Sequence, residues 1–290
     1  MSVSTGTPLI QLSLPVSPVP RSYLVRTDVE LYVGDLAYHN QVETRLQLSR
    51  PAARQATVRG LSFRQTNNEG EHRIEGELAR LRHHLNLTLG PEGRPEAVVN
   101  QPELLGNLKA LRSDWQRRFP DDRDLSPVFF DSLEAVFADP ARLVRSLSES
   151  PELDLLLPAL YDRRYAAGQE VEGPAARIAP LTGTLTMPLT TTVTRRPPSY
   201  PEVALDLLLT GTLDETRFPF DEARRLMQEL TGVVSIDPVP EVQYLLTFEF
   251  DQHHNLLYAG RFVTCIYENL AMSKTVTMLG PDQPTSPTKR

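Results

Sequence analysis

The stretch SPVFFDSLEAVFADPARLVRSLSESPELDLLL (Ser126–Leu157) decides the fold class, because it repeats one helix-start signal. In each repeat a short side chain that carries an oxygen precedes a proline: Ser126-Pro127, Asp139-Pro140 and Ser150-Pro151. The oxygen can accept a hydrogen bond from a free N–H group of the first helical turn, and proline suits the next position because its missing N–H has no partner there. The signal predicts short helices over residues 127–138, 140–148 and 151–157.

The residues before this stretch continue the helical pattern. Apolar side chains recur mostly at steps of three and four residues: Leu104, Leu105, Leu108, Leu111, Trp115 and Phe119. This spacing is typical of one buried stripe on a helix, which Pro120 ends. Residues 101–165 are therefore predicted to form a helical region.

On both sides of the helical region the hydrophobic period changes to alternation. Residues 22–100 contain runs such as 85–89 in which apolar and polar side chains alternate, which is typical of half-buried strands. Residues 173–279 alternate as well, apart from a helical stripe near 220–230 that is followed by Gly232, a residue suited to a helix C-cap. The sequence predicts an α+β fold of mostly antiparallel β-hairpins in one or two curved sheets, with a central insert of short α-helices.

These changes of period divide the chain into five regions. We expect a flexible segment, an antiparallel β region, a helical region, a β-rich region with one helix and a disordered tail, at residues 1–21, 22–100, 101–165, 173–279 and 280–290. Alternatively, residues 22–279 form one composite domain. Residues 71–84 fit either a helix or a strand. The segments 85–99 and 246–260 resemble each other, through a distant duplication or as two ordinary hairpins.

Composition bounds the function classes. The chain has 290 residues, a net charge of −7, 40% hydrophobic and 23% charged residues, which is ordinary for a chain with a buried core. Cys265 has no intrachain partner, which excludes a disulfide scaffold. The mild acidity argues against a dedicated nucleic-acid-binding protein. No apolar run is long enough to span a membrane and no secretory signal is recognised, so we expect a cytoplasmic protein.

Linear motifs of catalysis and cofactor binding are missing from the sequence. It has neither a GxSxG elbow nor a phosphate-binding glycine loop, so we predict no catalytic residue, no cofactor and no metal site. The pairs His83-His84 and His253-His254 lack the further ligands of a zinc site, although convergence of the two pairs across a sheet stays open. Cys265 lies in an apolar strand-like run and is expected to be a buried, inert thiol.

The helical region holds the residues that we predict to contact a ligand or partner: Trp115, Phe129, Phe130, Phe137, Arg117 and Arg118. Aromatic side chains that short helices cannot bury would form a contact surface. The alternative for the aromatic residues is packing in the core, and the alternative for the arginines is a solvated helix face.

An apolar excess without catalytic motifs favours a non-enzymatic binding protein. It would hold a protein partner or an apolar small molecule on a curved sheet or helix surface. A structural subunit of a larger assembly is one alternative, since exposed hairpin edges can be extended by strand addition. A hydrolase or transferase with a non-contiguous site is the other, with His84, His254 and Asp251 as candidates. The oligomeric state stays open.

Overall fold

The structure, a computed structural model, describes residues 9–67, 72–81, 84–118, 127–179, 185–233, 237–268 and 270–282. Its strands are β1 (Ile10–Leu12), β2 (Ser17–Val33), β3 (Leu36–Arg50), β4 (Gln55–Gln65), β5 (His84–Leu89), β6 (Pro95–Val98), β7 (Arg163–Tyr165), β8 (Glu170–Glu172), β9 (Ala176–Ile178), β10 (Met187–Arg196), β11 (Leu205–Leu213), β12 (Glu241–Phe250), β13 (Leu256–Tyr267) and β14 (Ala271–Pro281). Its helices are α1 (His72–Leu81), α2 (Gln101–Arg118), α3 (Pro127–Ala138), α4 (Pro140–Ser148), α5 (Pro151–Leu156) and α6 (Phe220–Thr231). A 3-10 turn covers Glu215–Arg217.

Most of the strands belong to one mainly antiparallel sheet. It has 12 strands in the order β6-β5-β4-β3-β2-β14-β13-β12-β11-β10-β8, with β9 also paired to β10, while β1 and β7 form a 2-stranded sheet. Neighbours in the chain are mostly neighbours in the sheet, as hairpins require. The predicted α+β class, with antiparallel hairpins, central helices and a further helix near residues 220–230, is confirmed.

Two compact units are interleaved along the chain. The first unit comprises residues 1–14, 27–41 and 158–278, and the second comprises residues 15–26, 42–157 and 279–290. The first unit holds β7 to β13 and α6, and the second holds β4 to β6 and α1 to α5. The regions predicted from hydrophobic period follow the order of the chain, whereas each compact unit combines segments that are distant in sequence.

The three proline-led helices begin where the repeated signal predicts. Helices α3, α4 and α5 start at Pro127, Pro140 and Pro151. Asp139 caps α4, because its carboxylate accepts hydrogen bonds from the N–H groups of Ala141 and Arg142 at 2.9 and 3.1 Å. The predicted cap is therefore confirmed at this helix.

The cap predicted at the start of α5 is wrong. The hydroxyl of Ser150 donates to the carboxylate of Glu152 at 2.7 Å and makes no hydrogen bond to the first-turn N–H groups. Donation to this carboxylate turns the hydroxyl toward the Glu152 side chain. The helix forms all the same and ends at Leu156. Ser126, the third predicted cap, lies outside the described residues.

The second unit packs its helices on strands in which every second residue is buried. In β5 the alternate residues are buried: Leu85, Leu87 and Leu89. Helix α2 buries its apolar stripe: Leu104, Leu108 and Trp115. Asn100 joins the two elements, since its side chain accepts from the N–H of Asn86 at 3.0 Å and donates to the carbonyl of His84 at 2.8 Å. Of the segment that fits a helix or a strand, residues 72–81 form α1 and His84 begins β5.

The first unit buries one face of its strands β11 and β12, and we call this the inner face. Its buried residues are Leu205, Leu207, Leu209, Tyr244, Leu246, Phe248 and Phe250. Helix α6 contributes buried Ala223 and Met227 and ends at Gly232, whose φ of 71° is the left-handed cap that the sequence predicts. Within the described ranges, no helix combines the length and the apolar character needed to cross a bilayer.

Strand β1 and the start of β2 lie in the segment 1–21, which we expected to be flexible. Leu12 is fully buried, β1 pairs with β7, and the carbonyl of Leu12 accepts a hydrogen bond from Asp162 at 2.8 Å. The segment is rich in proline, which has no N–H group to donate to a neighbouring strand. Its sequence is therefore not typical of a strand. Burial of Leu12 and pairing with β7 therefore hold this short strand in place.

Candidate functional site

The aromatic residues predicted for binding lie mostly in the core. Trp115, Phe130 and Phe137 are buried, and Phe129 is half-buried with its ring edge-on to Phe130 at 5.5 Å between centroids. This placement agrees with the packing alternative for Trp115, Phe130 and Phe137. In the first turn of α3, Val128 is the exposed apolar side chain, at 69%.

The two predicted arginines are exposed and locally compensated. Arg117 and Arg118 both form ion pairs with Asp114, the second at 2.8 Å. Arg118 also lies 3.6 Å from a Glu77 oxygen and 5.7 Å from the ring centre of Trp115. Exposed pairs of this kind contribute little free energy, and they are typical of the solvated helix face that was the alternative. A role of these six residues in binding stays a prediction.

The structure describes His84 of the first histidine pair and both members of the second. His83 lies outside the described residues, and His84 is half-buried at the start of β5. His254 accepts a hydrogen bond at Nδ1 from the N–H of Ser13 at 3.0 Å. Within the described part of the chain, no group of three or more His, Cys, Asp or Glu side chains is placed to hold a metal ion.

Cys265 is fully buried, as the sequence predicts. Burial raises the pKa of its thiol to about 12, and the nearby charge of Arg261 lowers it only in part. Since the thiolate is the reactive form, the side chain is a thiol at neutral pH and behaves as a small apolar group. The expected burial is confirmed, and the inertness of the thiol stays a prediction.

The face of β10 to β13 opposite the inner face, called here the outer face, carries a different set of side chains. The strand registers place them in three rows. The middle row is Thr192, Thr210, Leu245 and Phe262. Beside it run Thr194, Leu208, Thr247 and Gly260. The third row is Arg196, Asp206, Glu249 and Tyr258.

An apolar lane crosses this outer face. It consists of Leu208, Leu245, Tyr258, Phe262 and Met278. Leu245, Tyr258 and Met278 are 41%, 39% and 58% exposed. Met278 covers Gly260, because a Cβ on that glycine would lie 3.3 Å from the methionine sulfur. Exposed apolar side chains are unremarkable singly, but a contiguous group on a polar sheet face is typical of a contact surface.

Threonines border the lane on the β10 side. The hydroxyls of Thr192 and Thr210 lie 2.9 Å apart and form a hydrogen bond across the strands. In the adjacent row Thr194 lies on the β10 side of Leu208, whereas Thr247 lies between Leu208 and Gly260. Because these side chains satisfy each other while keeping free lone pairs, the border is polar but uncharged.

The third row contains an ion pair and a further carboxylate. Arg196 donates from Nε and from a terminal nitrogen to the same oxygen of Asp206, at 3.0 and 2.7 Å. Asp206 is only 1% exposed. Burial raises the pKa of the neighbouring Glu249, the charges of Asp206 and Glu202 raise it as well, and Arg196 opposes the shift. The row therefore holds more negative charge than its single guanidinium compensates.

Exposed glutamates lie at two further borders of the outer face. The register of β8 on β10 places Glu172 opposite Thr192 and Glu170 opposite Thr194. Glu241 begins β12 on the same side of the strand as Leu245, four residues away. We call Glu170, Glu172, Glu241 and Glu249 the acidic rim.

Glu249→Gln is expected to stabilise the protein at pH 7, by about 0.5–1 kcal/mol. A folded-state pKa raised above the unfolded value means that the charged form weakens the fold, so the wild type gains stability as the pH falls through the folded-state pKa. The advantage of the variant should therefore shrink toward pH 4. Urea unfolding at both pH values measures it, with Glu241→Gln as the control. An equal gain at both pH values would contradict this origin.

Sequence reasoning missed the apolar lane, although a signal for it exists. In Glu241–Phe250 the exposed parity reads Glu, Gln, Leu, Thr, Glu, so that Leu245 is the apolar exception on a polar face. Leu208 is the same exception between the buried Leu207 and Leu209. When two leucines are adjacent in an alternating strand, one of them points to the face that is not buried.

Comparisons with known proteins assign no family. No family model matches the chain, and no curated protein matches its sequence. A solved structure describing lipid–protein interactions in lipovitellin aligns with a TM-score of 0.46 and 8% identity, over 94% of this chain and 26% of that one. DynF from the dynemicin biosynthesis pathway of Micromonospora chersina aligns with a TM-score of 0.21 and 8% identity, over 98% and 89%.

The chain spans about a quarter of the lipovitellin chain, since 26% of that chain is covered. Likenesses this weak bear on neither the fold nor the function of this protein.

Proposed function

We propose that the chain is a non-enzymatic binding protein that holds another protein against its outer face. The observation that supports this is the exposure of Leu245, Tyr258 and Met278 on one face of the sheet, where Phe262 and Gly260 lie between Leu245 and Tyr258. Water contact at such a group is unfavourable, and a partner that covers it gains the corresponding free energy. The threonine border and the acidic rim then form the polar edge that surrounds the apolar centre of a protein interface.

A protein partner fits this surface better than a small apolar molecule does. Sites for small molecules enclose about 70–90% of the ligand surface. The apolar lane lies on the open side of the strands, and its members Leu245 and Met278 keep 41% and 58% exposure. A small ligand lying there would leave one side in water, whereas a protein covers both the lane and its border.

Two variants test the surface. Leu245→Ser/Met278→Ser removes two exposed members of the lane without opening a core cavity, and Val128→Ser changes an exposed apolar side chain of α3 as the control. Peptides are selected from a random display library on the wild-type chain. Their affinity should fall about tenfold or more for the double variant, a loss of about 1.4 kcal/mol, and should be unchanged for Val128→Ser.

Circular dichroism and urea unfolding verify that each variant is folded. Selected peptides that bind the double variant as tightly as the wild type would contradict the proposal. Native mass spectrometry of the purified chain distinguishes the alternatives: self-association would favour a structural subunit, and a bound apolar molecule would favour a carrier. The cytoplasmic location and the absence of catalysis stay predictions.

A further inference from the structure

We infer that the partner of the outer face is cationic: a protein segment whose central aliphatic or aromatic side chains are flanked by Lys or Arg. The inference rests on the proposed function and adds the chemistry of the partner. It is carried by the placement of the acidic rim around the apolar lane.

The rim surrounds Leu245 at similar distances in three directions. Glu241 and Glu249 lie four residues to either side of it on β12, which corresponds to about 13 Å along the strand. Glu172 belongs to the same register row as Leu245, three strands away, which corresponds to about 14 Å. A segment centred on Leu245 therefore meets a carboxylate at both ends and at one side.

Three of the four carboxylates of the rim are uncompensated within the described residues. Glu170, Glu172 and Glu241 are exposed and form no ion pair among the described residues. The basic side chains nearby are engaged. Arg196 is bound to Asp206, and Lys274, on the Met278 side of β14, binds Glu30 at 3.1 Å. Arg163 donates to the backbone carbonyl of Glu172 at 2.8 Å. The outer face thus presents free negative charge around an apolar centre, and only positive charge on a partner complements it.

The same charge pattern disfavours an anionic membrane as the partner. Anionic lipid headgroups are attracted by clusters of Lys and Arg, and the rim would repel them.

The positions of the rim carboxylates also define the spacing of the positive charges on the partner. In an extended segment, a Lys four residues from a central Leu lies about 13 Å away, which matches Glu241 and Glu249 on either side of Leu245.

A focused peptide library tests the inference. Every member has Leu and Phe at its centre, and the residues four positions to either side vary among Lys, Gln and Glu. On the wild-type chain at low salt, members with two Lys should bind about tenfold more tightly than members with two Gln. The difference should shrink in about 0.5 M salt, because the Debye length falls to a few Å.

Charge variants separate this inference from the proposed function. The variant Glu170→Gln/Glu172→Gln/Glu241→Gln should reduce the preference for Lys to the part that Glu249 maintains, while leaving the affinity of the Gln members unchanged. The control is Asp221→Asn/Glu222→Gln/Glu229→Gln, an equal change of charge on exposed residues of α6, and it should preserve the preference. Leu245→Ser/Met278→Ser should weaken every member.

The other outcomes show whether the cationic partner alone or the proposed function as well is wrong. Equal binding of Lys, Gln and Glu members that is still lost in Leu245→Ser/Met278→Ser would overturn the cationic partner and leave the proposed function standing. Failure of all members to bind would overturn both. Co-sedimentation of the wild-type chain with vesicles of phosphatidylcholine and phosphatidylserine would overturn the cationic partner in favour of an anionic surface.

Discussion

Arg196→Gln will lower the free energy of unfolding by about 2–3 kcal/mol at pH 7, the larger part of what breaking a buried ion pair costs. The carboxylate of Asp206 is 1% exposed and receives two hydrogen bonds from the guanidinium, at 3.0 and 2.7 Å. Without Arg196, this buried charge is left beside the carboxylate of Glu249. The expected loss is smaller than the full cost of breaking a buried pair, because the arginine side chain itself is partly exposed.

The second substitution Asp206→Asn distinguishes this cause from lost packing. In Arg196→Gln/Asp206→Asn the uncompensated charge is gone, so most of the lost stability should return. Arg177→Gln, an exposed arginine of the neighbouring strand β9, is the control and should change the unfolding free energy by less than about 0.5 kcal/mol. Urea unfolding measures all of the variants. A double variant less stable than Arg196→Gln would contradict the explanation.

Phe250→Ala is expected to be the most destabilising single change considered, at about 3–5 kcal/mol. The side chain is fully buried on the inner face, and its ring meets that of Tyr161 edge-on at 5.8 Å between centroids. Truncation removes the apolar burial, leaves a cavity and breaks the aromatic pair. The strand β12 that carries Phe250 on the inner face also carries Leu245 on the outer face. Packing of Phe250 therefore helps to hold the strand that presents Leu245.

Phe220→Ala is a matched control for the aromatic contact. Phe220 also makes an edge-on pair, with Phe218 at 4.9 Å, but it is 42% exposed at the start of α6. Its truncation should cost about 1 kcal/mol, close to the value of the ring contact alone. The difference between the variants in urea unfolding then measures burial. Similar losses of unfolding free energy in both variants would contradict the expectation that burial dominates the contribution of Phe250.

The elements of the fold follow from short-range patterns in the sequence. Asp139-Pro140 specifies the start of α4 because the cap and the proline act within one helical turn. Gly232 specifies the end of α6 because its backbone enters the left-handed region. The N-terminal strand β1 was not predicted, since its stability depends on burying Leu12 and on pairing with β7, about 150 residues away in the chain.

The candidate site could be predicted only in part. The aromatic residues chosen from the helical region, such as Trp115 and Phe130, are buried, because apolar spacing identifies a buried stripe and a contact stripe equally well. The apolar lane was missed because its members come from different strands and are each unremarkable in the sequence. Leu245 acquires its meaning only when the register places it between Thr210 and Phe262.

Hydrophobic period, helix caps and turn residues thus specified the class of the fold and the helices α2 to α6, because these signals act between residues that are close in the chain. The interleaving of the two units, the side of the sheet left open and the gathering of the acidic rim around Leu245 were decided by strand pairing between distant segments. A residue's period in the sequence determines which residues share a face, and only the packed structure determines which face water reaches.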